Sequence, residues 1–365
     1  MRIVFHHPLP LDPSSKSASG IRPIRMLEAF QALDIEVTLV TGYSNERKRA
    51  IAYVEDVVRS GKKYDFVYSE SSTMPTVLTD RHHLPLSPMA DFLFFRFCRM
   101  NSIPIGLFYR DIYWLFEEYG RGLNPIKVLL AKAAYRFDLW VYNQTLDKLY
   151  LPSVEMGRYV PYVNPEIFEA LPPGHTSPEV GGDSVGFRGQ SRPLRLFYVG
   201  GMSSHYQLHE LFKVASELPQ IELTVCTREE EWSAEKDSYP ALTPNIRVIH
   251  KAGTAMEEEL RRSDIAVLFV KPQEYREFAS PVKLYEYLGF CKPILASEGT
   301  LAGKFVAEND VGWTIPYDKE PLKQLLIALV KDPSQVSGRF RNLKDVAINH
   351  SWEARARKVI QDLVK

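Results

Sequence analysis

The stretch SPVKLYEYLGFCKPILAS, which runs from Ser280 to Ser297, decides how this chain is interpreted. It follows the apolar segment Ile265–Val270, which has the length and composition of a buried strand. Ser280 and Pro281 are residue types that commonly begin a helix, as the N-cap and the first helical residue. We therefore predict a strand at 265–270 and a helix over 282–289.

The start of this helix has the features of an anion-binding site. Its unpaired N–H groups and the positive end of its dipole favour a diphosphate, and Lys283 adds a cation in the first turn. Glu286 follows one turn later on the same face, where its carboxylate could accept hydrogen bonds from two ribose hydroxyls. An ordinary capped helix with a Lys283–Glu286 pair is the alternative that the spacing alone leaves open.

The whole stretch resembles the donor-site signature of GT-B-fold glycosyltransferases, particularly the family-4-like bacterial enzymes. The residues that match are Ser280, Pro281, Lys283, Glu286, Tyr287, Leu288, Gly289, Lys292 and Pro293. The resemblance implies a nucleotide-sugar donor, with the pyrophosphate held by the helix amides and Lys283 and the ribose held by Glu286. Lys283 and the helix dipole would also stabilise the departing nucleotide, which makes Lys283 a catalytic candidate.

One position departs from this resemblance. Retaining members of the family usually carry a second glutamate eight positions before the ribose-binding one, and that position is Phe278 here. Glu274 and Glu277 are close in the sequence but lie outside the expected register. The sequence therefore leaves open whether the anomeric configuration of the sugar is retained or inverted.

A second candidate loop contains two adjacent glycines after the predicted strand Leu194–Val199. Paired glycines let the backbone approach a phosphate closely, although a tight turn is an equal alternative. The loop resembles the donor loop of GT-B enzymes, in which Arg and Lys often follow, whereas this chain has Ser204, His205 and Tyr206. Lys283, and with it Lys271, would then carry the positive charge. The donor-binding candidates are Gly200, Gly201, Met202, Ser280, Pro281, Val282, Lys283 and Glu286.

The chain as a whole is predicted to be α/β, because short apolar runs alternate with segments of helical period. A stretch rich in Gly, Pro and Ser separates two such series. We predict an acceptor-binding domain at 1–171, a linker at 172–193, a donor-binding domain at 194–350 and a terminal helix at 351–365 that packs back on the first domain. Both domains would be doubly wound, Rossmann-like sheets that face a cleft, as in the GT-B fold. Within the first domain we expect a helix over Pro125–Phe137 and a strand over Leu139–Tyr142.

Composition supports a globular chain and excludes several other classes. The 365 residues carry 45 Lys plus Arg and 45 Asp plus Glu, so no net positive charge favours nucleic acid. The three cysteines, Cys98, Cys226 and Cys291, lack metal-binding spacing and are expected to be reduced and buried. The prolines at positions 8 and 10 leave no room for a signal peptide, so a cytoplasmic location is predicted.

The first domain offers two further loops. The segment Ser17–Arg25 follows the first strand and resembles the glycine-containing loop that faces the sugar and acceptor in GT-B enzymes. Gly20 would offer backbone amides to the donor, and Arg22 or Arg25 would meet a phosphate of the acceptor. A flexible loop before a solvated helix start is the alternative interpretation.

The other loop follows the strand Pro104–Tyr109 and contains Arg110 and Asp111. Asp111 could serve as the general base toward an acceptor hydroxyl, and the alternatives are a helix N-cap or an ion pair with Arg110. Glu70, after another strand, is a weaker acceptor-site candidate. No Asp-x-Asp pair, HExxH motif or Cys/His cluster occurs, so we expect neither a metal nor any cofactor apart from the donor.

Two segments have the mixture of apolar and basic residues that suits an interfacial helix near anionic lipid. They are Asn124–Asp138 and Phe92–Arg99, and the alternative for each is a core-facing helix with a solvated basic edge. No apolar run approaches the ~20 residues that span a bilayer, so any membrane contact would be peripheral.

The function expected from these features is transfer of a sugar from a UDP- or GDP-sugar to a hydroxyl of a glycan or lipid-linked glycan, in surface polysaccharide synthesis. Two alternatives from other classes stay open. A UDP-sugar 2-epimerase shares the GT-B architecture, and a non-catalytic binding protein would hold the nucleotide sugar without releasing free nucleotide.

Overall fold

The computed structural model describes residues 1–15, 17–117, 119–176, 192–202 and 206–364. They form two compact units, one of Met1–Pro173 with Trp352–Lys365 and the other of Gly174–Ser351. The predicted linker at 172–193 lies largely outside the described residues, because 177–191 are not among them.

The first unit is built on a six-stranded sheet of order β2-β1-β3-β4-β5-β6, in which every pairing is parallel. Ile3 of β1 lies opposite Val37 on one side and Phe66 on the other, so apolar side chains meet across these three strands. The elements are β1 Arg2–His7, α1 Ala18–Ala32, β2 Glu36–Thr41, α2 Ser44–Arg59, β3 Phe66–Glu70, α3 Ala90–Met100, β4 Ile105–Phe108, α4 Pro125–Thr145, β5 Lys148–Leu151 and β6 Phe168–Ala170.

The second unit repeats this plan with a six-stranded parallel sheet of order β12-β11-β10-β7-β8-β9. Leu196 of β7 pairs with Ile265 on one side and Leu223 on the other. The elements are β7 Leu194–Val199, α5 His209–Glu217, β8 Ile221–Cys226, α6 Glu229–Glu235, β9 Ile246–Ile249, α7 Thr254–Arg262, β10 Ile265–Leu268, α8 Glu274–Phe278, α9 Val282–Gly289, β11 Ile294–Ser297, α10 Leu301–Glu308, β12 Gly312–Ile315, α11 Lys319–Lys331, α12 Ser334–Gly338 and α13 Phe340–Ile348.

The last helix, α14 (Trp352–Leu363), belongs to the first unit. Its buried residues Trp352, Val359 and Leu363 join the core formed by α1 and the strands around β1. The prediction of an α/β chain made of two doubly wound, Rossmann-like sheets is confirmed.

The predicted strand at Leu139–Tyr142 is wrong, because these residues continue helix α4. Their apolar run has the length of a buried strand. However, Tyr135, Leu139 and Tyr142 are buried at helical spacing, and Asp138 on the same face accepts a hydrogen bond from the Thr76 N–H at 2.7 Å. The strand of this region is β5, which begins at Lys148.

In each sheet the strand order reverses between two neighbouring strands, and ligands of such sheets bind outside the carboxyl ends at that point. The reversal lies between β1 and β3 in the first unit and between β7 and β10 in the second. The loops after these four strands are therefore where a site is expected. Among the described helices, none is long and apolar enough to cross a membrane.

Candidate functional site

Helix α9 is fixed beside the end of β7 by one of its own tyrosines. The N–H of Val199, the last residue of β7, donates a hydrogen bond to the buried Tyr287 Oη at 3.0 Å. Tyr287, Leu284 and Leu288 pack in the core of the second unit, so the opposite side of the first turn of α9 is directed toward the Gly200 loop. This anchoring places Lys283 against Gly200, next to the reversal between β7 and β10.

The predicted start of α9 needs a correction. Pro281, not Ser280, is the N-cap, because its backbone is still extended (ψ 130°) and the helix begins at Val282. The Ser280 Oγ lies 3.1 Å from the Tyr285 Oη instead of bonding to a first-turn amide. Within the described residues no side chain caps α9, so an anionic ligand can bind the helix start without displacing a cap.

Lys283 has an unusual environment for an amine. Its Nζ lies 5.0 Å from the ring centroid of Tyr198 and 4.4 Å from that of Tyr206. The amine also packs against Gly200 and occupies the space that a Cβ on residue 200 would need. Part of the side chain remains accessible, but the amine is enclosed. Burial, reinforced by the charge of Arg276, lowers the pKa of Lys283 to about 7, although Glu286 and Glu231 oppose the shift.

Arg276 is a site candidate that the sequence analysis missed. This residue of α8 is buried, and its guanidinium lies 3.8 Å from the ring centroid of Tyr206, the ring that Lys283 also contacts. Arg276 therefore provides a second cation close to Lys283, whereas Lys271, the one expected from the sequence, is exposed. A basic residue seven positions before Lys283 was a visible signal, but the short helix α8 that turns it inward was not predicted.

Glu286 lies one turn after Lys283 and is partly buried. Burial and the neighbouring Glu257 raise the pKa of Glu286, while the charge of Lys283 lowers it. The carboxylate therefore lies in the field of the lysine, as the spacing predicted. Acceptance of hydrogen bonds from two ribose hydroxyls by Glu286 stays a prediction, which a structure with a bound nucleotide would test.

The Gly200 loop has a different geometry from the expected phosphate cradle. The Gly200 N–H donates to the Cys226 carbonyl at 2.9 Å, and the buried Met202 donates its N–H to Glu231 Oε2 at 2.8 Å. Gly201 lies beside the same carboxylate, which a Cβ at that position would crowd. Two loop amides are thus already bonded. The importance of Gly200 is instead steric, because its lack of a side chain makes room for the Lys283 amine. Residues 203–205, including Ser204 and His205, lie outside the described part of the chain.

Two neighbouring positions clarify which signature residues are structural. Phe278 is buried and its ring lies 5.3 Å from that of Tyr275, so the position of the second family glutamate is apolar, while Glu274 and Glu277 are exposed. The Lys292 Nζ donates to the carbonyls of Arg261 and Ser263 at 2.7 Å each. Lys292 therefore caps the end of helix α7, a structural contact that the resemblance alone does not reveal.

In the first unit, the loop between β1 and α1 contains Gly20, Arg22 and Arg25. Helix α1 is capped by Ser17, and the Gly20 N–H is already bonded to Ser17, at 3.0 Å to its carbonyl and 3.3 Å to its Oγ. Arg22 is only 5% exposed, and its guanidinium lies 3.4 Å from the Phe108 ring centroid and donates to the Leu171 carbonyl. These are the contacts of a structural residue. Arg25 is exposed and paired with Glu28, so of the two arginines only Arg25 is open to a ligand.

Glu70, at the end of β3, is fully buried next to Arg22. It receives a hydrogen bond from the Tyr68 hydroxyl at 2.8 Å and is paired with Arg22 and, at 3.4 Å, with Arg110. Arg110 thus pairs with Glu70, where the sequence analysis had considered Asp111. The Glu70 carboxylate is satisfied by these neighbours, which favours a role in holding the two arginines.

Asp111 accepts a hydrogen bond from the Tyr113 N–H at 3.0 Å, before the short 3₁₀ helix Tyr113–Leu115. This contact is close to the N-cap alternative for the residue. Burial raises the pKa of Asp111, with the Tyr113 hydrogen bond and the charge of Arg110 opposing it. A raised pKa improves a carboxylate as a proton acceptor, so the geometry leaves both interpretations of Asp111 in place.

His7, the last residue of β1, is a second candidate base that the sequence analysis missed. It lines a surface cavity of about 210 Å³ together with Gly20, Ser72 and Thr73, at the reversal between β1 and β3. Its Nδ1 lies 3.0 Å from the Leu9 carbonyl and 3.3 Å from the Leu9 N–H, so Leu9 can satisfy this nitrogen either as a donor or as an acceptor. Burial lowers the pKa of His7 to about 4, so the ring is neutral near pH 7. The signal in the sequence was a histidine at the carboxyl end of the first strand.

Groups of three or more His, Cys, Asp or Glu side chains that could hold a metal ion do not occur among the described residues.

Comparison of the sequence with protein-family models and with curated proteins finds no match. Comparison of the structure with solved structures finds whole-chain similarity to glycosyltransferases of the GT-B fold. HepE from Anabaena in complex with UDP is 12% identical, with a TM-score of 0.64 over 100% of this chain and 99% of that one. Sucrose-phosphate synthase from Thermosynechococcus elongatus is 13% identical, with a TM-score of 0.61 over 99% of this chain and 98% of that one. The UDP-forming trehalose-phosphate synthase from Burkholderia xenovorans, in complex with glucose-6-phosphate, is 12% identical, with a TM-score of 0.56 over 100% of both chains. At this level of identity the similarity establishes the fold, and the fold of this chain is GT-B.

Proposed function

We propose that this chain is a glycosyltransferase that uses a nucleotide-sugar donor. The observation that carries the proposal is the pair of cations at the uncapped start of α9, Lys283 and Arg276, with Glu286 one turn farther along the same helix. A diphosphate needs positive charge and free amides, and a ribose needs a hydrogen-bond acceptor, and this arrangement supplies both. The UDP and UDP-glucose bound by HepE, a protein of the same fold, support the donor class.

The chemistry expected here is displacement at the anomeric carbon of the donor. The acceptor hydroxyl forms the new C–O bond, the bond from the anomeric carbon to the diphosphate breaks, and the hydroxyl proton passes to a base. Lys283 and Arg276 stabilise the negative charge that develops on the departing nucleoside diphosphate. These two side chains and the dipole of α9 supply this stabilisation without a metal ion.

Two residues of the first unit are proposed as the proton acceptor. Asp111 has a carboxylate whose pKa is raised by burial, and His7 has a neutral ring that lines the cavity beside Gly20. Asp111→Asn and His7→Gln each remove the basic atom and keep a polar side chain of similar size. Loss of about a hundredfold or more in kcat from one variant, with an unchanged affinity for the nucleotide, would identify the base. Full transfer activity in both variants would remove both from the mechanism.

The acceptor class is proposed to be a hydroxyl of a glycan or of a lipid-linked glycan, in surface polysaccharide synthesis on the cytoplasmic side of the membrane. The support comes from the donor-site resemblance of 280–297 to family-4-like bacterial enzymes. Arg25, the exposed arginine near the Gly20 loop, is the candidate for a phosphate of a lipid-linked acceptor.

The experiment that tests the donor class is a thermal-shift screen with UDP-, GDP- and dTDP-sugars, because a ligand that binds the native state raises its apparent stability. We expect one nucleotide class to raise the midpoint, and we expect no rise in the Lys283→Ala/Glu286→Ala double variant. A ligand that stabilises both proteins equally would place the donor elsewhere. If the donor binds, NMR of the protein with the nucleotide sugar and no acceptor would detect the epimerised sugar that a 2-epimerase produces. If no free nucleotide were released with any acceptor, the chain would be a binding protein.

A further inference from the structure

Helix α4 exposes an apolar stripe over its first half. Ile126, Leu129 and Leu130 have exposed fractions of 68%, 65% and 61%, and Ala133 is exposed one turn later. These positions follow the i, i+3, i+4, i+7 spacing of one helix face. Such spacing ordinarily marks the side of a helix that is buried in a core, but this face is directed to solvent.

The stripe continues onto helix α3. Trp140, which is 47% exposed, lies farther along the same face of α4, and its ring centroid is 5.3 Å from that of Phe92 on α3. At helix α3 the large apolar side chains that remain exposed are Met89, Leu93 and Met100. We call the exposed apolar residues of these two helices the α3–α4 face: Met89, Leu93, Met100, Ile126, Leu129, Leu130, Ala133 and Trp140.

The exposed charges on helices α3 and α4 themselves are of one sign. The basic residues of the two helices are Arg96, Arg99, Lys127, Lys132 and Arg136, and all are at least partly exposed. Their only acidic residues, Asp91 and Asp138, are buried, and Asp91 is paired with Arg47 inside the unit. None of the five cations has an ion-pair partner in the described part of the chain. In a protein with no net charge, this is a local excess of positive charge beside exposed apolar side chains.

The face is held in place by the rest of α4. Asn124 caps the helix by accepting the Ile126 N–H at 2.9 Å, and Pro125 occupies the first turn. Farther along, Tyr135, Leu139 and Tyr142 are buried in the first unit. The core-facing alternative for this segment therefore holds only for the second half of α4. The first half extends its apolar side chains into solvent on a helix that is already folded.

We propose that the α3–α4 face binds the surface of an anionic lipid bilayer. Helix α4 lies in the plane of the headgroups, its leucines enter the boundary of the acyl chains, and the five cations contact lipid phosphates. Large exposed apolar patches mark interaction sites, and the one-signed charge favours an anionic lipid surface over a neutral protein partner. This contact is independent of the proposed transfer reaction, although it would bring the protein to a lipid-linked acceptor.

The test is sedimentation of the full chain with vesicles of phosphatidylcholine mixed with phosphatidylglycerol, compared with vesicles of phosphatidylcholine alone. We expect binding to the anionic vesicles and much weaker binding to the neutral ones. Leu129→Glu/Leu130→Glu should lower the partition coefficient by about tenfold or more, because it places two carboxylates in the apolar stripe. The matched control is Leu242→Glu/Ile348→Glu, which adds the same charge at exposed apolar positions outside the face and should leave binding nearly unchanged.

A charge variant separates the electrostatic part of the contact. Lys127→Gln/Arg136→Gln should weaken binding to anionic vesicles by about twenty-five-fold, since each cation near an anionic surface contributes about a factor of five. Equal binding of the wild type to both vesicle types would overturn the proposal. A second result would also overturn the proposal. If the wild type self-associated without binding vesicles, and Leu129→Glu/Leu130→Glu abolished that self-association, the face would bind a second copy of the chain.

Discussion

Binding of a nucleoside diphosphate to this chain is expected to take up a proton, and that proton is expected to go to Lys283. In the free protein, burial first and the charge of Arg276 second lower the pKa of this amine to about 7. A bound diphosphate places negative charge beside the amine and favours its protonated form. The perturbation that isolates this effect is Lys283→Met, which keeps the length of the side chain and removes the titrating group.

The magnitude follows from the two states of the amine. With a pKa of about 7 in the free protein, roughly a tenth of Lys283 is protonated at pH 8, and with an ordinary pKa near 10.5 in the complex nearly all of it is. Binding at pH 8 should therefore take up about 0.9 proton. By linkage, nucleotide affinity should fall by about fiftyfold between pH 7 and pH 9. The terminal phosphate of the nucleotide has a pKa near 6, so it is already almost fully ionised at pH 8 and adds little to the number of protons taken up.

The assay is titration calorimetry in buffers of different ionisation enthalpy, whose slope gives the number of protons taken up. Lys283→Met should bind the nucleotide more weakly and with almost no proton uptake. Lys283→Arg should bind without uptake, because the guanidinium is always charged. The exposed Lys271→Met is the matched control and should behave like the wild type. A wild type that binds at pH 8 without taking up a proton, or equal uptake by Lys283→Met, would show that Lys283 does not receive the proton.

Three further outcomes are expected. Gly200→Ala should weaken nucleotide binding by about tenfold or more in calorimetry, because its Cβ would occupy the place of the Lys283 amine. Arg276→Met should weaken binding and also raise the pKa of Lys283 by removing a like charge, so affinity measured against pH should fall at a higher pH than in the wild type. Asp138→Asn concerns stability: burial raises the pKa of Asp138 from 3.8 to about 7, so the wild type should lose about 4 kcal/mol of unfolding free energy between pH 4 and pH 8 in urea titrations, a loss that the variant should not show.

Each of these outcomes has a control or a contrary result. Gly253→Ala, at another glycine of positive φ (57°) with open space around it, strains the backbone without reaching Lys283 and should bind normally. An unchanged pH midpoint in Arg276→Met would mean that the two cations do not interact. For Asp138 the sign is fixed by the unfolded chain, which ionises first as the pH rises and so gains stability relative to the folded state. Parallel pH profiles for Asp138→Asn and the wild type would show that the buried carboxylate does not titrate.

The fold could be predicted from the sequence where a pattern had only one structural interpretation. The apolar run at 194–199 became a strand with the expected bounds, and the helix at 282–289 also had its expected length. The run at 139–142 failed because a short apolar segment fits a buried strand and a buried helix turn equally well. Only the packing of Asp138 and its neighbours against the rest of the first unit distinguishes the two.

The site was predictable where its residues share one helix. Lys283 and Glu286 are related by helix geometry, so their proximity follows from spacing. Arg276 and His7 come close to their neighbours only through tertiary packing, and the sequence contains no spacing rule for that. The inward turn of Arg22 was unpredictable for the same reason, because the basic residues at 22 and 25 are equivalent in the sequence.

We propose above all that the start of helix α9 binds the diphosphate of a nucleotide sugar. The most direct measurement is a crystal structure of the chain with the UDP or GDP compound that gives the largest thermal shift. Phosphate oxygens should lie within hydrogen-bond distance of the Lys283 Nζ and the first amides of α9, and ribose hydroxyls should lie at the Glu286 carboxylate. A nucleotide bound in another part of the chain, with Lys283 still enclosed by Tyr198 and Tyr206, would contradict this proposal.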